Sequence, residues 1–218
     1  MRIGELSQRS GVAIPTIKYY LREGLLEAGV SRAANQADYG AEHLRRLRLV
    51  RALIDVGGVS VAAARSVIEA LGRTDLKPHD LLGVAHDAVT PARHPDRDSP
   101  SWMAARAEAA ELVARRGWIV NPAALGLDQA ADAISALRSL DAVEIADEID
   151  AYATAAQDLA HVEVERVISR QDPTGRLELV VLGTVLGEAL FNALRLLAHE
   201  HESAVQLGFD PAIYRAGV

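Results

Sequence analysis

The side chains best suited to binding chemistry cluster near the start of the chain. In IGELSQRSGVAIPTIKYYLREGLL, residues 3–26, Thr16, Lys18, Tyr19, Tyr20 and Arg22 fall within a few positions of one another. An ammonium, a guanidinium and several hydroxyls form a donor set matched to phosphate oxygens, the contacts that fix a protein on a nucleic-acid backbone. The chain has no phosphate-cradling glycine loop, nucleophile elbow, His-Glu-x-x-His pair or dinucleotide fingerprint, so enzyme activity has no support.

Those groups need a frame. Ile3, Leu6 and Val12 recur at spacings that close one side of a short helix, and Gly11 supplies a residue that tolerates positive φ where that helix must stop. Pro15 suits the first turn of a second helix, because the N–H it lacks is not needed there. Ile17, Leu21 and Leu25 then form the buried side, which turns Thr16, Lys18, Tyr19, Tyr20 and Arg22 outward, and Gly24 ends the helix. On spacing alone, an ordinary helical hairpin with a solvated polar face explains the stretch equally well.

The same stretch resembles the start of the MerR family of transcriptional regulators, a helix-turn-helix followed by a tyrosine pair and a glycine-leucine step, here Tyr19, Tyr20, Gly24 and Leu25. Residues 35–71, NQADYGAEHLRRLRLVRALIDVGGVSVAAARSVIEAL, are similar to the end of the family's wing and the helix pair after it, with the Gly-x-Ser turn at Gly58, Val59 and Ser60. The resemblance implies a winged helix-turn-helix that enters the major groove with residues 16–22, two such heads on a pseudo-palindrome, and promoter DNA distorted so that RNA polymerase engages both elements. Residues 27–37 would be the wing, with Arg32, Asn35, Gln36 and Tyr39 as candidates for backbone contact. Where many members carry a wing arginine this chain has Ala37, which leaves Arg32 and the second helix to supply the grip.

Charge supports a nucleic-acid head without reference to the family. Residues 1–77 hold 12 Lys and Arg against 8 Asp and Glu, a balance of +4, whereas residues 78–218 hold 11 against 22, a balance of −11. A basic head gains from counterion release on DNA, and an acidic body stands away from it. With no cysteine in the chain, disulfides, thiolate metal sites and cysteine redox sensing are excluded. The N-terminus has charged residues and no apolar signal core, from which a cytoplasmic protein is expected.

Half of the 218 residues are apolar and only 4% aromatic, with Ala, Leu and Val dominant, a composition that favours a mainly α fold. Three regions are expected: a winged helix-turn-helix head over 1–72, a linker with a short helix over 73–100, and an all-helical effector-binding and dimerisation domain over 101–218. In the head, Leu44, Leu47, Val50 and Leu53 or Ile54 mark a basic amphipathic helix. Its arginines, Arg45, Arg46, Arg48 and Arg51, read mainly as a solvated face, with one or two free to buttress the site. Ser60 caps the next helix and Gly72 stops it. After the head, where well-known family members place a coiled-coil helix, no unbroken heptad run follows.

Further on, residues 101–116 form a helix up to Gly117, Asn121 and Pro122 a turn before another helix, and residues 142–170 a longer amphipathic stripe through Ile145, Ile149, Tyr152, Ala156, Leu159, Val164 and Val167. The last helix, LELVVLGTVLGEALFNALRLLAHEH, is apolar nearly all round, but Glu188, Asn192 and Arg195 interrupt it and argue against a membrane span. Thr184, Glu188, Asn192 and Arg195 share one stripe of it. That stripe reads as the solvent side of a core helix, or as the lining of an effector pocket or a subunit interface. Trp118, like Trp102, either fills core or stacks on a ligand. His199 and His201 are two apart and face different sides, so no metal or other cofactor is expected.

The reading is a homodimeric, effector-responsive regulator of promoter DNA. Two other classes stay open: a ligand-independent architectural DNA-bending protein, and a small-molecule binding module with a vestigial head.

Overall fold

The computed structural model describes residues 1–33, 36–73, 77–89 and 97–208. They are mainly helical, with one small antiparallel sheet. In chain order, α1 (Ile3–Ser10) and α2 (Ile14–Arg22) lead into strands β1 (Val30–Ala33) and β2 (Gln36–Asp38). α3 (Ala41–Arg51) then widens into a π-helical turn, Ala52–Val56, before α4 (Val61–Leu71). α5 (Pro78–Val89), α6 (Pro100–Arg115), α7 (Leu125–Ser139), α8 (Val143–Asp147), α9 (Ile149–Ser169) and the long α10 (Pro173–Gln206) follow.

The chain divides into two compact units: Met1–Ile68 together with the residues from Leu182 onward, and Glu69–Val181. α10, read from the sequence as part of the C-terminal body, thus contributes its later turns to the same unit as the head.

In the first unit, Leu6, Ile17, Leu25, Leu47, Val50 and Leu53 are fully buried. The π-helical turn replaces what the sequence reads as a continuation of α3. It brings Leu53 onto the stripe already begun by Leu47 and Val50, while Asp55 accepts a 2.9 Å hydrogen bond from Arg51 Nε. A wide turn of this kind relaxes the helical register where the packing requires a side chain slightly off the α position. Just beyond it, Val185 of α10 lies so close to Gly57 that a Cβ at Gly57 would collide with Cγ1 of the valine. Val185 is itself buried.

The second unit is centred on α6 and α7, where Trp102, Ala105, Ala109, Leu127, Ala131 and Ile134 form a core of small residues around one indole. The same indole donates through Nε1 to Asp132 at 2.6 Å. Arg97 bridges Asp128 at 2.9 Å and Asp132 at 2.7 Å, and Arg106 reaches Asp128 at 2.8 Å. The hydrogen bond to Asp132, more than anything else, holds the Arg97 guanidinium above its ordinary pKa. Trp102 is therefore core, while Trp118 is half-buried and donates to Gln157 at 3.2 Å.

Two long helices depart from expectation. The stripe read along residues 142–170 is broken between α8 and α9, and Ile145, Tyr152 and Val164 on it are exposed. Ala146 and Ala153 are the residues buried instead, because small side chains let the helices approach their neighbours. In α10 the expectation of a core helix fails from Leu190 onward: Leu190, Leu194, Leu196 and Leu197 are each more than half exposed. By length and composition alone, Gly175–Gln206 is long and apolar enough to cross a membrane, an 18-residue window within it having a mean hydropathy of 1.7 with 17% of that window buried.

Candidate nucleic-acid interface

The head's geometry follows from its turn. Gly11 adopts φ +69°, and its N–H caps α1 by donating to the Ser7 carbonyl at 2.9 Å. Ser7 Oγ donates to the Val12 carbonyl at 2.6 Å, and Ser10 Oγ accepts from the Val12 N–H at 3.2 Å. Three short-range bonds thus lock the angle at which α2 leaves α1. α2 starts at Ile14 with Pro15 in its first turn, as the sequence predicts.

Along α2 the buried positions are Ile17 and Tyr20, one helical turn apart. This corrects the sequence reading in one respect. Tyr20, expected outward beside Tyr19, is only 6% exposed, and Leu21, expected inside, is half-buried. At 3.6 residues per turn positions 20 and 21 both flank the side of Ile17, and the core takes the phenol ring of Tyr20. Burial pushes the Tyr20 phenol above its ordinary pKa, with the Asp55 carboxylate acting in the same direction.

The opposite face is polar and open. Lys18 and Arg22 are exposed, and Tyr19 and Thr16 are half-buried at its edges. The Arg22 guanidinium lies 5.2 Å from the Tyr19 ring centroid, a cation–π approach that extends it along the face instead of out into solvent. Glu23 lies 3.4 Å from Arg22, whose side chain is mostly solvated, a pairing of little energetic weight.

Behind α2 the wing is short and irregular. β1 and β2 pair antiparallel, Val30 opposite Asp38 and Ser31 opposite Ala37, with a register shift after Ser31. The chain start is tied to its base, because Met1 and Tyr39 exchange backbone hydrogen bonds, both at 2.8 Å. Arg32 is well exposed but ion-paired to Asp38, with Arg2 at 3.8 Å from the same carboxylate. Tyr39 is buried, packed edge-on against His43, whose Nδ1 accepts from the Gly40 N–H at 3.0 Å. Tyr39 therefore anchors the wing's end. Asn35 and the Gln36 side chain lie outside the described residues.

Of the α3 arginines, Arg46 is the buttress: it donates to the Ile68 carbonyl at 3.4 Å and lies 3.8 Å from Glu27. Arg51 pairs with Asp55 and passes within 3.4 Å of the Cβ position of Gly11, so it underlies the turn between α1 and α2. Arg45 lies 3.4 Å from Glu42, and Arg48 is exposed. Sequence reasoning missed the supporting roles of His43 and Asp55. Their signals were weak, a histidine at the third position of a helix and an acid four residues after an arginine.

The two parts of the expected effector set lie in different units. Thr184, Glu188, Asn192 and Arg195 occupy one stripe of α10, the first half-buried and the other three exposed, whereas Trp118 is in the second unit.

A helix-turn-helix with a cationic second helix and a β wing at its flank is the architecture of a DNA-binding transcriptional regulator. The description of MerR helix-turn-helix family regulatory proteins matches residues 1–71, and the chain belongs to the MerR family. It is 39% identical over 57 residues to the HTH-type transcriptional regulator HmrR of Sinorhizobium medicae (strain WSM419), a match that takes in 26% of this chain and 39% of that regulator. It is also similar to the crystal structure of SCO5550, a proposed transcriptional regulator of Streptomyces coelicolor A3(2). That likeness has a TM-score of 0.72 and 36% identity, and spans 96% of this chain and 99% of the other.

Proposed function

We propose that the protein binds promoter DNA as a homodimer, with α2 in the major groove of each half-site, and distorts the duplex in response to an effector sensed by its helical body. The observation that carries the DNA half is the open face on which Lys18 and Arg22 are exposed with Tyr19 at its edge, while Ile17 and Tyr20 clamp the helix from behind. Lys18 and Arg22 take phosphates, Thr16 and Tyr19 donate through hydroxyls at the edges of the face, and Arg32 exchanges Asp38 for a phosphate when the wing meets the backbone. Tyr20 and Tyr39 serve from inside by fixing the helix and the wing, and Gln36 adds a neutral donor at the wing. The basic head against an acidic body supports the same orientation on the duplex.

Distortion follows from two heads gripping flanks that an overlong spacer holds out of phase, the deformation being offset by contacts on both sides. RNA polymerase would be the neighbour on that promoter. Sensing is assigned to the polar stripe Thr184, Glu188, Asn192 and Arg195, whose mixture of hydroxyl, charge and amide suits a small polar ligand, and, as a separate candidate in the second unit, to Trp118.

The test is binding to the protein's own upstream region across a salt series, with Tyr19→Ala and Arg22→Ala beside the unaltered protein. Both substitutions should weaken binding, and unchanged affinity would remove α2 from the interface. For sensing, Glu188→Ala and Asn192→Leu should alter the effector response and spare DNA affinity. A response intact in both would return the stripe to plain solvent exposure.

A further inference from the structure

The first turn of α2 has an apolar tip. Ala13, which precedes the helix, and Pro15, in its first turn, are exposed, and Ile14 between them is 37% exposed. Within the chain this arrangement gains little. Ala13 stands where Ser, Thr, Asp or Asn would accept a hydrogen bond from the free N–H groups of the first turn, and it makes no such bond. Nor does the first turn carry an acidic side chain to meet the helix dipole. We propose that this tip reads base edges by shape, each half-site presenting to Ile14 a thymine whose C5-methyl group packs against the isoleucine. This rests on the reading of α2 as the groove helix, and names the base that helix selects.

Spacing sets the tip against the bases. Ile14 and Lys18 are four residues apart, as are Lys18 and Arg22, so the three follow one side of α2, and Pro15 stands in the same relation to Tyr19. At about 1.5 Å per residue, Ile14 lies about 6 Å ahead of Lys18 and about 12 Å ahead of Arg22 along the helix. The major groove is about 12 Å wide and about 8.5 Å deep. With Arg22 on a phosphate at the rim, the leading turn stands within the groove, as the first residues of a recognition helix do.

The chemistry of the tip limits what it can select. In the major groove a base edge offers hydrogen-bond donors and acceptors and, on thymine alone, a methyl group. From Ala13 to Pro15 no side chain can donate or accept, and Pro15 lacks even its N–H. A guanine or adenine edge set against Ile14 would give up hydrogen bonds to water and find no replacement, whereas the thymine methyl has none to lose. Ile14 is also β-branched and stiff at χ1, so little rotamer freedom is lost on contact.

Selection of duplexes from a random-sequence library by the unaltered protein should return a thymine in each half-site. Replacing that thymine with deoxyuridine removes only the methyl, and should weaken binding about fourfold per half-site, the effect of withdrawing one methyl-sized group from burial. 5-Methylcytosine at the same place should bind more tightly than cytosine. Ile14→Ala, with its melting temperature retained, should bind the thymine and deoxyuridine duplexes alike, while Ile14→Val, which keeps the branched carbon, should still tell them apart. Lys18→Ala should weaken both duplexes by the same factor. Selected duplexes with no deoxyuridine-sensitive position would overturn the inference and leave α2 in the groove. So would discrimination undiminished in Ile14→Ala. A selection that returns no sequence preference at all would instead refute the DNA reading itself, and this inference with it.

Discussion

The tyrosine pair offers the sharpest test, since its two members differ by one position in sequence and one is buried while the other lies at the edge of the open face. Tyr20 is 6% exposed and shares its side of α2 with Ile17, which is fully buried. Truncating a core aromatic to alanine costs about 3–5 kcal/mol through lost burial and the cavity left behind. In a domain of the head's size, each kcal/mol moves the melting temperature by roughly 4–8 °C. Tyr20→Ala should therefore lower the head's melting temperature by more than about 10 °C, and should abolish DNA binding at any temperature where the head has opened. Tyr20→Phe keeps the ring, so both stability and DNA affinity should stay close to the original. Tyr19→Ala should do the reverse, weakening DNA binding several-fold with the melting temperature nearly unchanged.

Calorimetry beside fluorescence anisotropy on a labelled promoter fragment reads both quantities. Alkaline titration adds a further check. Because burial raises the folded-state pKa of Tyr20, its contribution to stability is fully present below about pH 10 and is lost as pH rises through the folded value; Tyr20→Phe should remove that part of the alkaline loss. Loss of DNA affinity in Tyr20→Phe with its melting temperature intact would refute the separation of roles, because it would place the Tyr20 hydroxyl on the DNA.

Other consequences follow from the same geometry. Lys18→Ala and Arg22→Ala should each reduce the slope of log affinity against log salt by about 0.9 for every phosphate left without its cation, read from binding isotherms between low and moderate salt; an unchanged slope would take that residue off the backbone. Gly57→Ala should destabilise the head by about 1–3 kcal/mol through the collision with Val185, and the added substitution Val185→Ala should recover part of that loss in a denaturant-based double-mutant cycle. Asp132→Ala should destabilise the second unit by about 2 kcal/mol or more, measured by urea unfolding, because it strips Arg97 and the Trp102 indole of an acceptor in a largely buried setting.

Much of the head was legible from the chain because its signals are local. A glycine at the turn, a proline in the first turn of α2 and a serine before α4 each impose their geometry within a few residues, and the helices begin and end where those residues put them. The inside-outside assignment at Tyr20 and Leu21 was not legible. Both are large and apolar enough for a core, and the choice depends on fractions of a helical turn and on the space above Ile17. The ion pairs of Arg32 with Asp38 and Arg51 with Asp55 depend on side chains meeting in space, which spacing alone does not specify. The largest departure, the exposure of α10, has the same origin. Hydrophobic content shows that a helix must be covered, and leaves open whether its own chain does the covering.

The meeting of Val185 with Gly57 also governs the order in which the molecule can be built. The two residues are separated by 128 positions, and the whole of the second unit is threaded between them. During synthesis α1 to α4 emerge first, yet the surface at Gly57 stays open until the ribosome has released the later turns of α10. Contacts between segments so distant in sequence form late, since a long loop must close before they can form. The DNA-reading half thus begins the chain and is completed near its end, so a polypeptide interrupted anywhere before Val185 carries a reading head whose last wall is missing.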